Sequence, residues 1–124
     1  MVDEREILLE AVKNLKSLTR RNDITIIPSG DLQNETDISI GEVRLSGKVK
    51  SYVNNANFNQ MLLLIQEKRR NSKFPVLLIV GSISPQNLMK YADEGINVLD
   101  CSGNCYINIP SLYIYLSFGS YKCE

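Results

Sequence analysis

The chain has 124 residues, with 14 basic and 14 acidic side chains, three cysteines, and neither histidine nor tryptophan. That length suits one domain, 1–124, with a core that needs no staples, and 44% hydrophobic with 23% charged residues describes a soluble globular chain rather than a disordered one. Without histidine there is no Ser-His-Asp triad, no Cys-His pair and no histidine-based zinc site, so any proton transfer falls to Asp, Glu, Lys, Tyr or water.

In chain order, residues 3–19 read as a helix. Ile7, Leu8, Ala11, Val12, Leu15 and Leu18 recur at three-four spacing, and Asp3, Glu4 and Glu6 crowd the first turn. Asp23 to Pro28 is β-rich, and Pro28-Ser29-Gly30-Asp31 is a loop signal. Asp37 to Leu45 and Lys48 to Val53 are predicted as a hairpin turning at Ser46-Gly47, with Lys48, Lys50 and Tyr52 on one face of the second strand. Asn57 or Asn59 is a cap for a helix over 58–71 with the stripe Met61, Leu62, Leu64 and Ile65. Phe74 to Val80 is wholly apolar, as a strand buried on both faces is. Ser84-Pro85 opens a helix to about Glu94, and Gly95 suits a left-handed stop. Strands follow at Ile96 to Leu99, Cys105 to Ile109 and Leu112 to Ser117, with a Ser102-Gly103-Asn104 turn between the first two. The order predicts a mixed sheet in an α/β fold.

Charge is unevenly spread. Residues 1–43 carry five basic and nine acidic side chains, whereas 44–73 carry seven basic (Arg44, Lys48, Lys50, Lys68, Arg69, Arg70 and Lys73) and only Glu67 as an acid. A phosphate-contacting surface needs such a block. A solvated helix end, with cations suited to its C-terminal dipole, is the plainer account of Lys68 to Lys73. Cys101, Cys105 and Cys123 are too few for a thiolate zinc site and are expected as free thiols, their odd number suggesting a reducing compartment. Asn34-Glu35-Thr36 matches a glycosylation sequon that would carry no meaning in the cytoplasm. The acidic N-terminus lacks a secretory signal, and the apolar run Val76 to Val80 is too short to span a bilayer. The expected location is therefore the cytoplasm, away from membranes.

The first six elements, α-β-β-β-α-β, resemble the core of the PD-(D/E)xK nuclease superfamily, the restriction-endonuclease-like fold, here followed by α-β and a terminal hairpin. That superfamily places an acid on the second strand, an acid-x-lysine triplet on the third and, in many members, a glutamine on the next helix. Two carboxylates hold Mg²⁺, which activates water and stabilises charge on the phosphate. The resemblance implies Asp37 as the first acid, Lys50 as the lysine and Gln60 as the helix glutamine. The second acid belongs at residue 48, where this sequence has Lys48. The resemblance therefore implies a nuclease fold that has lost cutting, with no metal or other cofactor. Arg44, Lys48, Lys50, Lys68, Arg69 and Arg70 are its candidate nucleic-acid contacts.

A second resemblance lies in Phe74 to Pro85, Leu88, Glu94-Gly-Ile-Asn-Val-Leu-Asp100, Ser102-Gly-Asn104, Tyr106-Ile-Asn108 and Pro110-Ser-Leu-Tyr-Ile114. These blocks are similar to the AbiEi-type antitoxin family of type IV toxin-antitoxin and phage abortive-infection systems. The likeness implies a prokaryotic defence regulator that binds DNA, a toxin or another protein. Asp100, Gly103 and Asn104 are its motif residues, read either as a turn or as a contact at the sheet rim. This sequence shows no winged-helix segment of the kind such antitoxins usually carry. Two alternatives stay open. One is an active Mg²⁺-dependent DNA endonuclease using Asp37, Glu35 or Glu42, Lys50 and Gln60. The other is a structural module that forms a homodimer by pairing the edges of the 105–117 hairpin. Tyr106, Tyr113 and Tyr115 alternate on that hairpin and are expected to pack on the sheet rather than stack on bases.

Overall fold

Helix starts and stops follow local chemistry. In the computed structural model, which describes residues 3–28 and 35–118, helix α1 spans Glu4–Thr19 and the Asp3 carboxylate accepts from the Glu6 amide at 2.8 Å. Helix α2 spans Phe58–Asn71. Asn57 stands at its cap without capping it: Asn54 and Asn57 exchange reciprocal side-chain to backbone bonds of 2.9 and 3.0 Å instead. Helix α3 spans Pro85–Asp93, with the Ser84 hydroxyl accepting from the Asn87 amide at 3.1 Å and Gly95 in the left-handed region at φ 73°.

The strands are β1 (Ile24–Pro28), β2 (Glu35–Ile40), β3 (Val43–Lys50), β4 (Val76–Val80), β5 (Asn97–Asp100), β6 (Cys105–Ile109) and β7 (Leu112–Leu116). They form one mixed sheet of seven strands in chain order. Its β1–β2–β3 and β5–β6–β7 ends are antiparallel, and β3, β4 and β5 run parallel through the crossovers α2 and α3. Ser29 to Asp31, Asn34 and Cys123 lie outside the described residues.

Side-chain alternation divides the core in two. Leu45, Val49, Leu77, Ile79 and Leu99 face α1, where Ile7, Ala11 and Leu15 meet them. Val76, Leu78, Val80 and Val98 face α2 and α3, packing with Met61, Ile65, Leu88 and Tyr91. Strand β4 therefore has two buried faces, which is why it reads as an unbroken apolar run. Burial in the second layer pushes the Tyr91 hydroxyl up to about 12. Three residues of the predicted stripes fall short: Leu62 and Leu64 are only partly buried, and Leu18 is 46% exposed, resting on the surface of the β5–β6 turn at Gly103.

One prediction is corrected. The hairpin turns at Gly41-Glu42, with Gly41 at φ 62°, and Ser46-Gly47 lie inside β3. Gly47 is there for a different reason. A Cβ on it would come within 2.4 Å of the Thr36 carbonyl oxygen, so the close approach of β2 requires glycine. Tyr52 consequently lies beyond the strand and is exposed.

Candidate nucleic-acid interface

The β2–β3 ladder sets Asp37 opposite Ser46 and Ser39 opposite Arg44. Asp37, Arg44, Ser46, Lys48 and Lys50 thus share the sheet face that farther along carries α2. Asp37 is buried, and its Oδ2 accepts from Arg44 Nε at 2.8 Å and pairs with Arg44 Nη2 at 2.7 Å. The Ser46 hydroxyl lies 3.5 Å from Oδ1, a long contact. The same guanidinium sits 4.9 Å from the centre of the Phe74 ring, so Arg44 is held by an anion on one side and a π-face on the other. A divalent cation at Asp37 would have to displace this partner.

Beyond the pair, β3 and α2 diverge around an open cleft of about 500 Å³, lined by Ser46 and Lys48 from the sheet, Leu64, Glu67, Lys68 and Asn71 from the helix, and Ser72. Two ammonium groups against one carboxylate leave the lining of the cleft net positive, beside the polar side chains Ser46, Asn71 and Ser72. That combination suits an anion such as a phosphate. Gln60 is exposed on the first turn of α2 and shares a helix face with Leu64 and Lys68, but it does not line the cleft. Lys50 continues the β3 row two ladder pairs beyond Lys48, at the next position on that face. Arg69 is turned aside, donating to the Gly95 carbonyl, while Arg70 is exposed in the last helical turn.

Of the acids of the endonuclease alternative, only Glu42 can be placed by its side chain, and it stands apart from Asp37. Glu42 sits exposed in the β2–β3 turn, four residues from Ser46 of the Asp37–Ser46 pair, or about 13 Å along the strand. Glu35 pairs with Lys48 along the backbone ladder, and its side chain lies outside the described residues. Among the described residues, no group of three or more His, Cys, Asp or Glu is placed to hold a metal ion. The Asp37–Arg44 pair escaped sequence reasoning because the turn was expected five residues too late. With the turn at Gly41-Glu42, residues 37 and 44 become diagonal neighbours.

Asp100, Gly103 and Asn104 form a separate, inward-facing group. Asp100 is fully buried. Its Oδ1 accepts from the Ser102 and Asn104 amides at 3.0 and 2.9 Å, and its Oδ2 from the Ile83 amide at 3.2 Å and Asn104 Nδ2 at 3.0 Å. Gly103 takes φ 98° and donates to the Asp100 carbonyl at 3.0 Å. Asn104 Oδ1 accepts from the Phe118 amide at 2.9 Å. The motif therefore ties the β4–α3 loop, the β5–β6 turn and the end of β7 together. Burial raises the Asp100 carboxyl above its ordinary value, only partly offset by these bonds. Burial and the Asp100 charge also push the Cys105 thiol up, leaving it unreactive.

Cys105 is a free, buried thiol, but Cys101 is disulfide-bonded, which corrects the expectation of free thiols throughout. Spacing could not reveal this, because a disulfide depends on which backbones meet in space. Among the described residues, no helix is long and apolar enough to cross a membrane. The three hairpin tyrosines lie on one sheet face, with Tyr113 and Tyr115 exposed on the edge strand β7. A scan against protein-family models found no match for this chain, and comparisons with curated proteins and with solved structures likewise found none.

Proposed function

We propose that this chain is a nucleic-acid-binding domain on a restriction-endonuclease-like core that holds phosphate without cutting it. In a prokaryotic cytoplasm it would serve as an AbiEi-type antitoxin-like or phage-defence regulator. The observation that carries the reading is the Asp37–Arg44 ion pair beside Lys48. The first acid already has a cationic partner, and an ammonium stands where the second acid belongs. Charge that would bind a metal is replaced by charge that binds the phosphate directly. The antiparallel β1–β2–β3 meander leading through α2 into a parallel β4 supports the core assignment.

The test is fluorescence anisotropy with labelled duplex DNA across a salt series, alongside plasmid nicking with Mg²⁺ and Mn²⁺. Binding should weaken as salt rises. Lys48→Glu with Lys68→Glu should weaken it further and lower the slope of log K against log salt by about two, one per lost phosphate contact. Nicking that disappears in Asp37→Ala would establish the Mg²⁺-dependent endonuclease instead. Absence of salt-dependent DNA binding would defeat the nucleic-acid reading and leave a protein partner, such as a toxin, as the ligand to seek.

A further inference from the structure

We infer that the β6–β7 hairpin and the end of α3 form a pocket for a quaternary ammonium group, apart from the basic cleft. The ladder pairs Tyr106 with Tyr115 and Asn108 with Tyr113, which sets three tyrosine rings on one face beside α3. With Met89, Ala92 and Asp93 they enclose an open pocket of about 240 Å³, large enough for a trimethylammonium head.

The ring geometry matches this occupant. Tyr106 lies 6.2 Å from Tyr113 at 87° and 6.3 Å from Tyr115 at 77°, so two rings stand nearly upright against a third. Tyr113 is 64% and Tyr115 45% exposed, whereas Tyr91, which does pack a core, is 1% exposed. The rings are steadied at their polar ends: the Tyr106 hydroxyl accepts from Asn108 Nδ2 at 3.2 Å, and the Tyr115 hydroxyl donates to Met89 Sδ at 3.4 Å. The exposed Tyr113 and Tyr115 rings and the Tyr106 ring all border the pocket.

Charge selects a cation. Asp93 is the one ionised group among the lining residues, and it ends α3, where the helix dipole is also negative. Lys90, the base of that last turn, is engaged elsewhere, 4.5 Å from the centre of the Phe58 ring. Aromatic faces with one carboxylate and no array of acceptors favour a large, weakly hydrated alkylammonium over a bare ammonium, which needs hydrogen bonds in return for its water. The head group can come from a free small molecule or from a trimethylated lysine of a polypeptide, since the chemistry presented is the same.

The full chain would be titrated with choline, with a short peptide carrying one trimethyl-lysine, with its unmodified twin, and with an uncharged tert-butyl isostere of that side chain. Binding would be followed by amide shifts. Saturable shifts at Ala92, Asp93, Tyr106, Tyr113 and Tyr115 are expected, with the neutral isostere about tenfold weaker. Tyr113→Ala and Asp93→Asn, both at exposed positions outside the core, should each weaken binding about three- to fivefold. Equal response to choline and peptide identifies a free ligand, and tighter binding of the peptide identifies a polypeptide; both support the pocket. Three results overturn it: no saturable shifts, equal binding of the neutral isostere, or indifference to both substitutions while the amide spectrum stays native.

Discussion

Asp100 shows how one side chain organises a fold. Its two oxygens collect backbone amides from two separate connections, together with the Asn104 amide group. Each bond is charge-assisted, yet burial outweighs them and the carboxyl is raised above 3.8. A carboxyl raised on folding makes the folded state bind its proton more readily. Below the unfolded value no cost is felt, and as pH climbs through the folded value the charged form draws stability away. Asp100→Asn removes that titration but turns an amide NH₂ toward two donors, costing about 1–3 kcal/mol. The melting-temperature gap between wild type and Asp100→Asn should therefore widen as pH falls from 7 toward about 4. A gap that narrows instead would mean that the hydrogen bonds dominate burial. Asp23, held low by Arg21 at the surface, is common to both proteins and drops out of the difference.

The elements were largely legible before folding, and the exception is instructive. Asp3, Ser84, Pro85 and Gly95 mark helix ends through bonds within one turn, so the surrounding sequence suffices. Ser46-Gly47 and Gly41 present nearly the same local signal, and only the neighbouring strand distinguishes them. Gly41 and Gly95 supply a left-handed turn, whereas Gly47 supplies room for the Thr36 carbonyl. The two uses predict different costs. Gly95→Ala meets nothing within 4 Å and should lose about 1–2 kcal/mol from backbone strain alone. Gly47→Ala collides with the Thr36 carbonyl of the neighbouring strand and should lose about 3 kcal/mol or more, or yield insoluble protein. Urea midpoints, with soluble yield for Gly47→Ala, separate the two. Equal losses would show that β2 can retreat from Gly47.

Across the molecule, one sheet serves two cores. Strand β4 sends Leu77 and Ile79 to one layer and Leu78 and Val80 to the other, so neither layer can loosen without disturbing the strands of its counterpart. Leu15→Ala in the first layer and Leu88→Ala in the second should each cost about 2–5 kcal/mol. Each should also shift a single urea transition, followed by far-ultraviolet dichroism for the backbone and near-ultraviolet dichroism for the tyrosines, whose bands no tryptophan overlies. Separation of the two signals in either variant would show independent layers. The sheet's charged and aromatic features occupy opposite halves of the α2–α3 face: the Asp37–Arg44 pair and the cleft toward β2 and β3, the tyrosines at β6 and β7.

Periodicity, caps and apolar runs, all written within a few turns of chain, determined from the amino acids alone that helices and strands alternate here and roughly where each begins. The absence of histidine narrowed the chemistry in the same way. Tertiary structure alone decided which residues meet: Arg44 with Asp37, Lys48 with Lys68 across the cleft, Asp100 with the Ile83 amide, and Cys101 with a disulfide partner. Such pairings depend on strand register and helix placement, and a one-residue slip in register reverses every side chain it carries. Composition holds no record of that register until the backbones have come together.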